Sequence, residues 1–148
     1  MYAATEGGRI TLTRGGPAQE FTVSVRNGNT RAYAQLRVAL QTEIMIGEGS
    51  APSNGLVLER RDPATGAWRR ADLRVANDVR PHHLHPDGTP LARDASRVER
   101  YRLRATAAGP AGSTSLLIRL VDTAAPRGAS YEQAVPRRAS LPLTVAAP

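Results

Sequence analysis

Three histidines stand within four positions, His82-His83-Leu84-His85, and Asp87 follows them. Imidazole nitrogens and carboxylate oxygens are metal donors, and a metal site needs several of them converging on one point. Pro81 and Pro86 bracket the group and argue for an extended segment rather than a helix. In an extended segment His83, His85 and Asp87 fall on one face at i, i+2 and i+4. Structural zinc takes four well-placed donors, and this spacing supplies three. The expectation is that no metal and no cofactor is held, with His83, His85 and Asp87 as the candidates should one bind. The ordinary reading of the same residues is a solvated, Pro-flanked loop. Clustered imidazoles would also gain charge together near pH 6.

A second group is Arg100, Arg102 and Arg104, separated by Tyr101 and Leu103. At a period of two, three guanidinium groups line one face of a strand while Tyr101, Leu103 and Ala105 face the other. Such a stripe can grip phosphate or carboxylate bidentately. It can equally be a solvent face, partly paired with acids on neighbouring strands. A third group surrounds Trp68, with Arg60 and Arg61 before it and Arg69 and Arg70 after it. Cations close to an indole invite cation–π stacking. The competing role for Trp68 is a core residue or an anchor at a hairpin edge. The anion- or partner-binding candidates are therefore Arg100, Arg102, Arg104, Trp68 and Arg70.

Signatures of catalysis are missing. The chain has no GxSxG elbow and no GxGxxG turn. All 20 basic residues are Arg, so a phosphate loop ending in Gly-Lys cannot exist. The acids, such as Glu43, Glu48, Glu59, Asp62 and Asp72, are scattered among loops and strand ends, whereas a glycosidase needs a facing pair. The expectation is a non-enzymatic protein.

The elements that must position these groups are strands. Apolar residues alternate in Ile10–Leu12, Phe21–Val25, Leu36–Leu40, Leu56–Leu58, Tyr101–Leu103, Leu116–Leu120 and Leu141–Val145. Alternation puts i, i+2 and i+4 on one face, so each run predicts a half-buried strand. A helix is the competing reading for Ala32 to Leu40, which is rich in Ala, Leu, Arg and Gln. Turn signals separate the runs: Gly15-Gly16-Pro17, Asn27-Gly28-Asn29, the loop from Gly47 to Gly55, Asp62-Pro-Ala-Thr-Gly66, Asp87-Gly88 and Ala108 to Gly112. About eight short strands so punctuated predict an all-β, two-sheet antiparallel sandwich or a barrel. Asn77 to Ala92 and Thr123 to Arg138, each with several Pro, read as long connections over the outside of the sheets. Residues 1–8 read as a flexible N-terminal arm and residues 9–148 as one domain.

Composition bounds the rest. Of 148 residues, 29 are Leu, Ile, Val or Phe, and net charge is +7, which lies close to the composition of disordered chains. The alternation decides for a fold. Zero Cys excludes disulfides, a thiol nucleophile and thiolate metal sites. No run approaches about 18 apolar residues, so no membrane insertion is expected. A pI near 11 favours anionic partners. With only six aromatic side chains, the stacking platforms of single-strand nucleic-acid binders are lacking, and nucleic acid is not an expected partner.

The order of motifs resembles a known group. A Gly-Gly turn is followed by Phe21-Thr-Val-Ser-Val-Arg-Asn27, then Leu58-Glu-Arg-Arg-Asp-Pro-Ala-Thr-Gly-Ala-Trp68, and late in the chain by Leu116-Leu-Ile-Arg-Leu120. This resembles the immunoglobulin-like β-sandwich domains of secreted or wall-associated proteins from high-GC Gram-positive bacteria. The resemblance implies a sandwich over about Ile10 to Val145 and a secreted or cell-surface location. No signal-peptide pattern opens this chain, a departure from the group that removal of a leader could explain. It also implies a non-catalytic interaction or structural module binding another protein. A sheet edge could accept that partner, with the N-terminal arm or the Arg138–Val145 strand and its Pro142 serving or protecting the edge. The alternative is a binder of anionic polymer or glycan through the Arg-rich strand face.

Overall fold

A computed structural model describes residues 1–28, 31–43, 46–47, 55–76, 80–85 and 87–148. The described strands are β1 (Tyr2–Ala4), β2 (Ile10–Thr13), β3 (Gln19–Arg26), β4 (Tyr33–Thr42), β5 (Ile46–Gly47) and β6 (Leu56–Arg61). They continue as β7 (Trp68–Arg70), β8 (Leu73–Val75), β9 (Thr89–Leu91), β10 (Ser96–Ala105), β11 (Gly112–Asp122) and β12 (Arg137–Ala146). Two single helical turns, α1 (Pro81–Leu84) and α2 (Tyr131–Ala134), lie in the two Pro-rich connections. Asn29 of the Asn27–Asn29 signal and residues 48–54 of the Gly47–Gly55 loop lie outside the described residues.

Two sheets pack face to face. One runs β1-β3-β10-β6-β7, and the other runs β2-β12-β11-β4-β8, with β5 beside β11 and β9 beside β4. Most neighbours are antiparallel, but β2 lies parallel to β12 and β8 parallel to β4. Alternation does the work expected of it: Phe21, Val23 and Val25 point inward, as do Tyr101, Leu103 and Ala105, and Leu116, Ile118 and Leu120. Phe21 and Tyr101, directly opposite in the β3–β10 ladder, stack with ring centroids 5.4 Å apart. Neither ring is more than 2% exposed. Stacked aromatic pairs of this kind add about 1 kcal/mol beyond the area they bury.

Three expectations change. Residues 2–4 are not a loose arm; they form β1 and pair with Thr22–Ser24 of β3. The β3 edge offers unpaired backbone groups, and a short extended segment satisfies them. The Arg138–Val145 strand is not an edge, since β12 lies between β11 and β2. Its Pro142 pairs with Ser115 one residue before β2 begins at Leu143↔Ile10, so its missing N–H costs the β2 ladder nothing. Third, there are more strands than about eight, because β1, β5, β8 and β9 have two or three residues each and carry too little pattern to read.

The segment read as strand or helix, Ala32 to Leu40, is strand β4. Its pattern blurs because both faces of its second half are covered. Val38 and Leu40 face the main core, while Ala39 packs with Val121, Ala134 and Val135 in a second, smaller cluster. The Thr123–Arg138 connection supplies that cover through α2. Ser130 caps α2: its Oγ accepts the Gln133 N–H at 3.2 Å, and the Gln133 side chain accepts the Ser130 N–H at 3.0 Å. Ser130-x-x-Gln133 is a capping box, a signal present in the sequence and not used in its reading. Gly55 and Gly109 show a close backbone approach. A Cβ on Gly55 would stand 2.4 Å from the Gly109 Cα, so only glycine fits there.

Candidate anion-binding cleft

The inward faces of β10, β6 and β7 do not stay apolar to the end of the sandwich. Along β10 the inward residues run Leu103, Tyr101, Glu99, Arg97. Tyr101 lies opposite Arg60 of β6, which lies opposite Arg69 of β7. Strand alternation therefore carries charge onto the core-facing side, where the two sheets open into a cleft of about 480 Å³. Volumes of this size are typical of ligand pockets. Six arginines line it (Arg37, Arg60, Arg61, Arg69, Arg70 and Arg97) against four carboxylates (Asp62, Asp72, Asp87 and Glu99), a lining charge of +2.

Glu99 is the floor. It is 5% exposed, and its Oε1 accepts from Arg60 Nη2 at 2.8 Å. Arg97 Nε stands 3.9 Å from Glu99 Oε2. The Arg97 guanidinium is held by two other bonds, donating to Thr89 Oγ1 at 2.5 Å and to the Leu36 carbonyl at 3.5 Å. Glu99 Oε2, Arg60 Nε and Arg97 Nε have no hydrogen-bond partner among the described residues. A buried carboxylate is tolerated only when paired, so the two guanidiniums stabilise Glu99 as much as it orients them. Burial first, then the Glu99 charge, pushes the Tyr101 phenol far above its ordinary value, so it stays neutral.

The rim is set by the Asp62–Gly66 turn. Asp62 Oδ1 accepts from Ala64 N–H at 2.8 Å and Thr65 N–H at 3.4 Å, and the Asp62 carbonyl accepts the Gly66 N–H at 2.8 Å. Gly66 takes φ of +73°, the conformation glycine was expected to supply there. These backbone donors, with Arg69, hold the Asp62 carboxyl below its ordinary range. Asp62 Oδ2 in turn receives Arg69 Nε at 3.3 Å.

Of the residues singled out in the sequence, Arg60, Arg61, Arg69 and Arg70 of the Trp68 group and Asp87 are on the cleft lining, while Trp68, the Arg100–Arg104 stripe, His83 and His85 lie elsewhere. Arg100, Arg102 and Arg104 do share the outward face of β10, as the spacing predicts. Two of them are already engaged. Arg102 donates twice to Glu59, at 2.8 and 2.5 Å, and lies 4.6 Å from the centroid of Trp68. Arg100 stands 3.7 Å from Glu20. Trp68 is thus a half-buried hairpin-edge residue under a guanidinium. Sequence alone could not place Glu20 and Glu59 across from these arginines, since register is a tertiary fact.

The histidines are not extended. Pro81 takes the first position of a helical turn, where its missing N–H is harmless, and His82 and His83 sit inside α1. This breaks the shared face of His83, His85 and Asp87. No grouping of three metal-donor side chains exists among the described residues. His82 and His83 contact edge to face, and His83 Nε2 lies 3.1 Å from the Arg127 carbonyl. Arg80 donates to the Ala129 carbonyl at 2.6 Å. The two Pro-rich connections are thereby tied together over the second sheet. His85 is 3% exposed, with Nδ1 4.0 Å from Asp72. Burial first, and then the Arg37 charge, lowers its pKa despite Asp72.

Missed by the sequence reading were Arg97, Glu99 and Arg37. For Arg97 and Glu99 the signal was parity, since both occupy inward positions of the same strand as Tyr101 and Leu103; Arg37 alternates with the core-facing Leu36 and Val38 and carried no such signal.

No protein-family model and no curated protein matches the chain. Solved structures do resemble it. AvmM, which catalyzes macrocyclization in alchivemycin A biosynthesis, superposes with a TM-score of 0.53 at 18% identity, over 96% of this chain and 87% of that one. That likeness is one of fold alone. SSP-19, an MSP-domain protein like family member in Caenorhabditis elegans, gives 0.42 at 10% identity over 98% of both chains. A family 123 glycoside hydrolase from Clostridium perfringens gives 0.48 at 8% identity, over 95% of this chain and 22% of that one. The latter two likenesses are too loose to bear on function. No helix among the described residues is long and apolar enough to cross a membrane.

Proposed function

We propose that this chain is a non-catalytic interaction module of immunoglobulin-like β-sandwich type, secreted or cell-surface, that binds an acidic protein partner at the cleft between its sheets. One observation carries the reading: the cleft floor sets two guanidiniums, Arg60 and Arg97, around a single carboxylate, Glu99. Guanidinium groups remain protonated at any physiological pH, so they serve recognition rather than proton transfer. The outer edges speak against long strand addition. The edge strands β1, β2, β7 and β8 have three or four residues each, and β7 and β8 carry Arg69, Arg70 and Arg74. Short, charged edges resist pairing with a further chain. The cleft is the better docking point.

The second reading is an anionic polymer or glycan on the outer Arg face. It rests on Arg104, which is exposed and has no ion-pair partner among the described residues.

Affinity capture tests both. The purified chain is presented with secreted and wall fractions of its source organism at low and high salt. One protein retained at high salt by the native chain, and lost with Arg97→Gln, supports the cleft. Polymer retained only at low salt, and lost with Arg104→Gln, supports the outer face, because counterion release makes such binding salt-sensitive. Retention of neither would end both.

A further inference from the structure

We infer that the cleft is a carboxylate subsite that takes an acidic residue of an extended peptide, its carboxylate meeting Arg60, Arg69 and Arg97 and its main chain meeting Val38. This rests on the reading above and adds the chemistry of the group recognised.

Charge limits the ligand first. Arg60 and Arg97 share one carboxylate, Glu99, so the floor has one positive charge uncompensated. Arg69 at the rim is matched by Asp62 at 3.3 Å. One excess charge suits a monoanion such as a carboxylate. At the floor a phosphate dianion would bring a second negative charge against Glu99; the lining as a whole, at +2, could still balance one, so phosphate is titrated as a competitor. The Arg60 side chain is 43% exposed, so one edge of its guanidinium holds Glu99 while the rest is open to a ligand. Arg97 stands off Glu99 by 3.9 Å, and Glu99 Oε2 lacks a hydrogen-bond partner among the described residues, so the floor is an incomplete network.

Backbone parity then selects a peptide. In β4 the Gln35 carbonyl turns toward the β11 side and accepts the Thr123 N–H at 2.9 Å. Residues of the other parity turn away from β11. The Thr42 carbonyl accepts the Ala76 N–H at 2.7 Å, and the Leu36 carbonyl accepts from Arg97 at 3.5 Å. Val38 has this second parity. The β9 ladder ends at Leu36 and the β8 ladder starts at Leu40, so no described strand runs beside Val38. One N–H and one C=O of Val38 are thus directed to the cleft wall, a single rung that peptide main chain can complete. A fully ionised phosphate offers acceptors only, and a uronate sugar offers hydroxyls without the fixed N–H and C=O spacing of a strand.

The test is an NMR titration of the full chain, ¹⁵N-labelled, with acetyl-Val-Glu-Val-amide up to the order of 10 mM, the range where millimolar binding is read. The Gln analogue, glucuronate and inorganic phosphate are titrated in parallel. The expected result is movement of the Val38 amide and of the Arg60 and Arg97 Nε–H signals, with about tenfold tighter binding of the Glu peptide than of its Gln analogue. Arg97→Gln leaves the floor neutral and should abolish that preference. Arg69→Gln, at an exposed rim position that tolerates change, should weaken binding several-fold even if the Arg97 variant folds poorly. Equal binding of the Glu and Gln peptides overturns the proposal, as does tighter binding of glucuronate or phosphate. A captured partner that the Glu peptide does not displace would also overturn the subsite, while leaving the interaction reading in place.

Discussion

Replacing Arg60 with Ala is the sharpest probe of the cleft floor. Glu99 is 5% exposed and loses its partner at 2.8 Å, keeping only Arg97 at 3.9 Å. Removing one member of a fully buried ion pair costs about 3–5 kcal/mol. Arg60 is 43% exposed and Arg97 remains, so about half of that, ~2 kcal/mol, is the expected loss near pH 7. For a chain of this size, that lowers Tm by about 4–8 °C. Urea melts of the native chain, Arg60→Ala, Glu99→Gln and the double variant close a thermodynamic cycle. The double variant should recover at least 1 kcal/mol relative to the sum of the single losses, an estimate for directly coupled partners. A coupling below about 0.5 kcal/mol would show that Glu99 does not depend on Arg60.

Three further outcomes are expected. Phe21→Ala opens a void against Tyr101 and should cost about 3–5 kcal/mol in denaturant melts, with no change in fold by circular dichroism. Because the folded pKa of His85 is depressed, the stability it protects is full above the unfolded value near 6.5 and is lost as pH falls toward the folded one. His85→Gln should therefore flatten the slope of Tm against pH below about pH 6.5. Ser130→Ala removes the α2 cap and should cost about 1 kcal/mol, seen as faster amide exchange at Gln133 than in the native chain.

Much of the fold was legible because strand alternation is local physics. Phe21, Val23 and Val25, or Leu116, Ile118 and Leu120, read as inward residues from their spacing alone. The Asp62–Gly66 turn was equally plain, since Pro and Gly set φ by their own covalent structure. The short strands were not legible. Two or three residues such as those of β8 or β9 have no period to detect, and they form only where β4 offers an unpaired edge. The histidine cluster misled for a related reason. Flanked by Pro86, Pro81 reads as a helix breaker, yet at the first position of a helical turn it starts one.

The candidate site divides in the same way. Residue identity and parity, which are properties of the chain, determined that Arg100, Arg102 and Arg104 share one face and that Arg97 and Glu99 share the other. Which face closes on the second sheet, and which acid stands opposite which arginine, depended on register. The β3–β10 and β6–β10 ladders brought Glu20 and Glu59 to the outward arginines and Arg60 to Glu99. Pairing between strands far apart in sequence is set by packing of the whole core, so no local pattern could report it. The sequence alone marked this chain as a basic, cysteine-free, strand-built protein. Only the tertiary structure set Arg100 and Arg102 of the exposed stripe beside Glu20 and Glu59, and Arg60 and Arg97 around the buried Glu99 in a cleft, because the register of distant strands decides which charges meet.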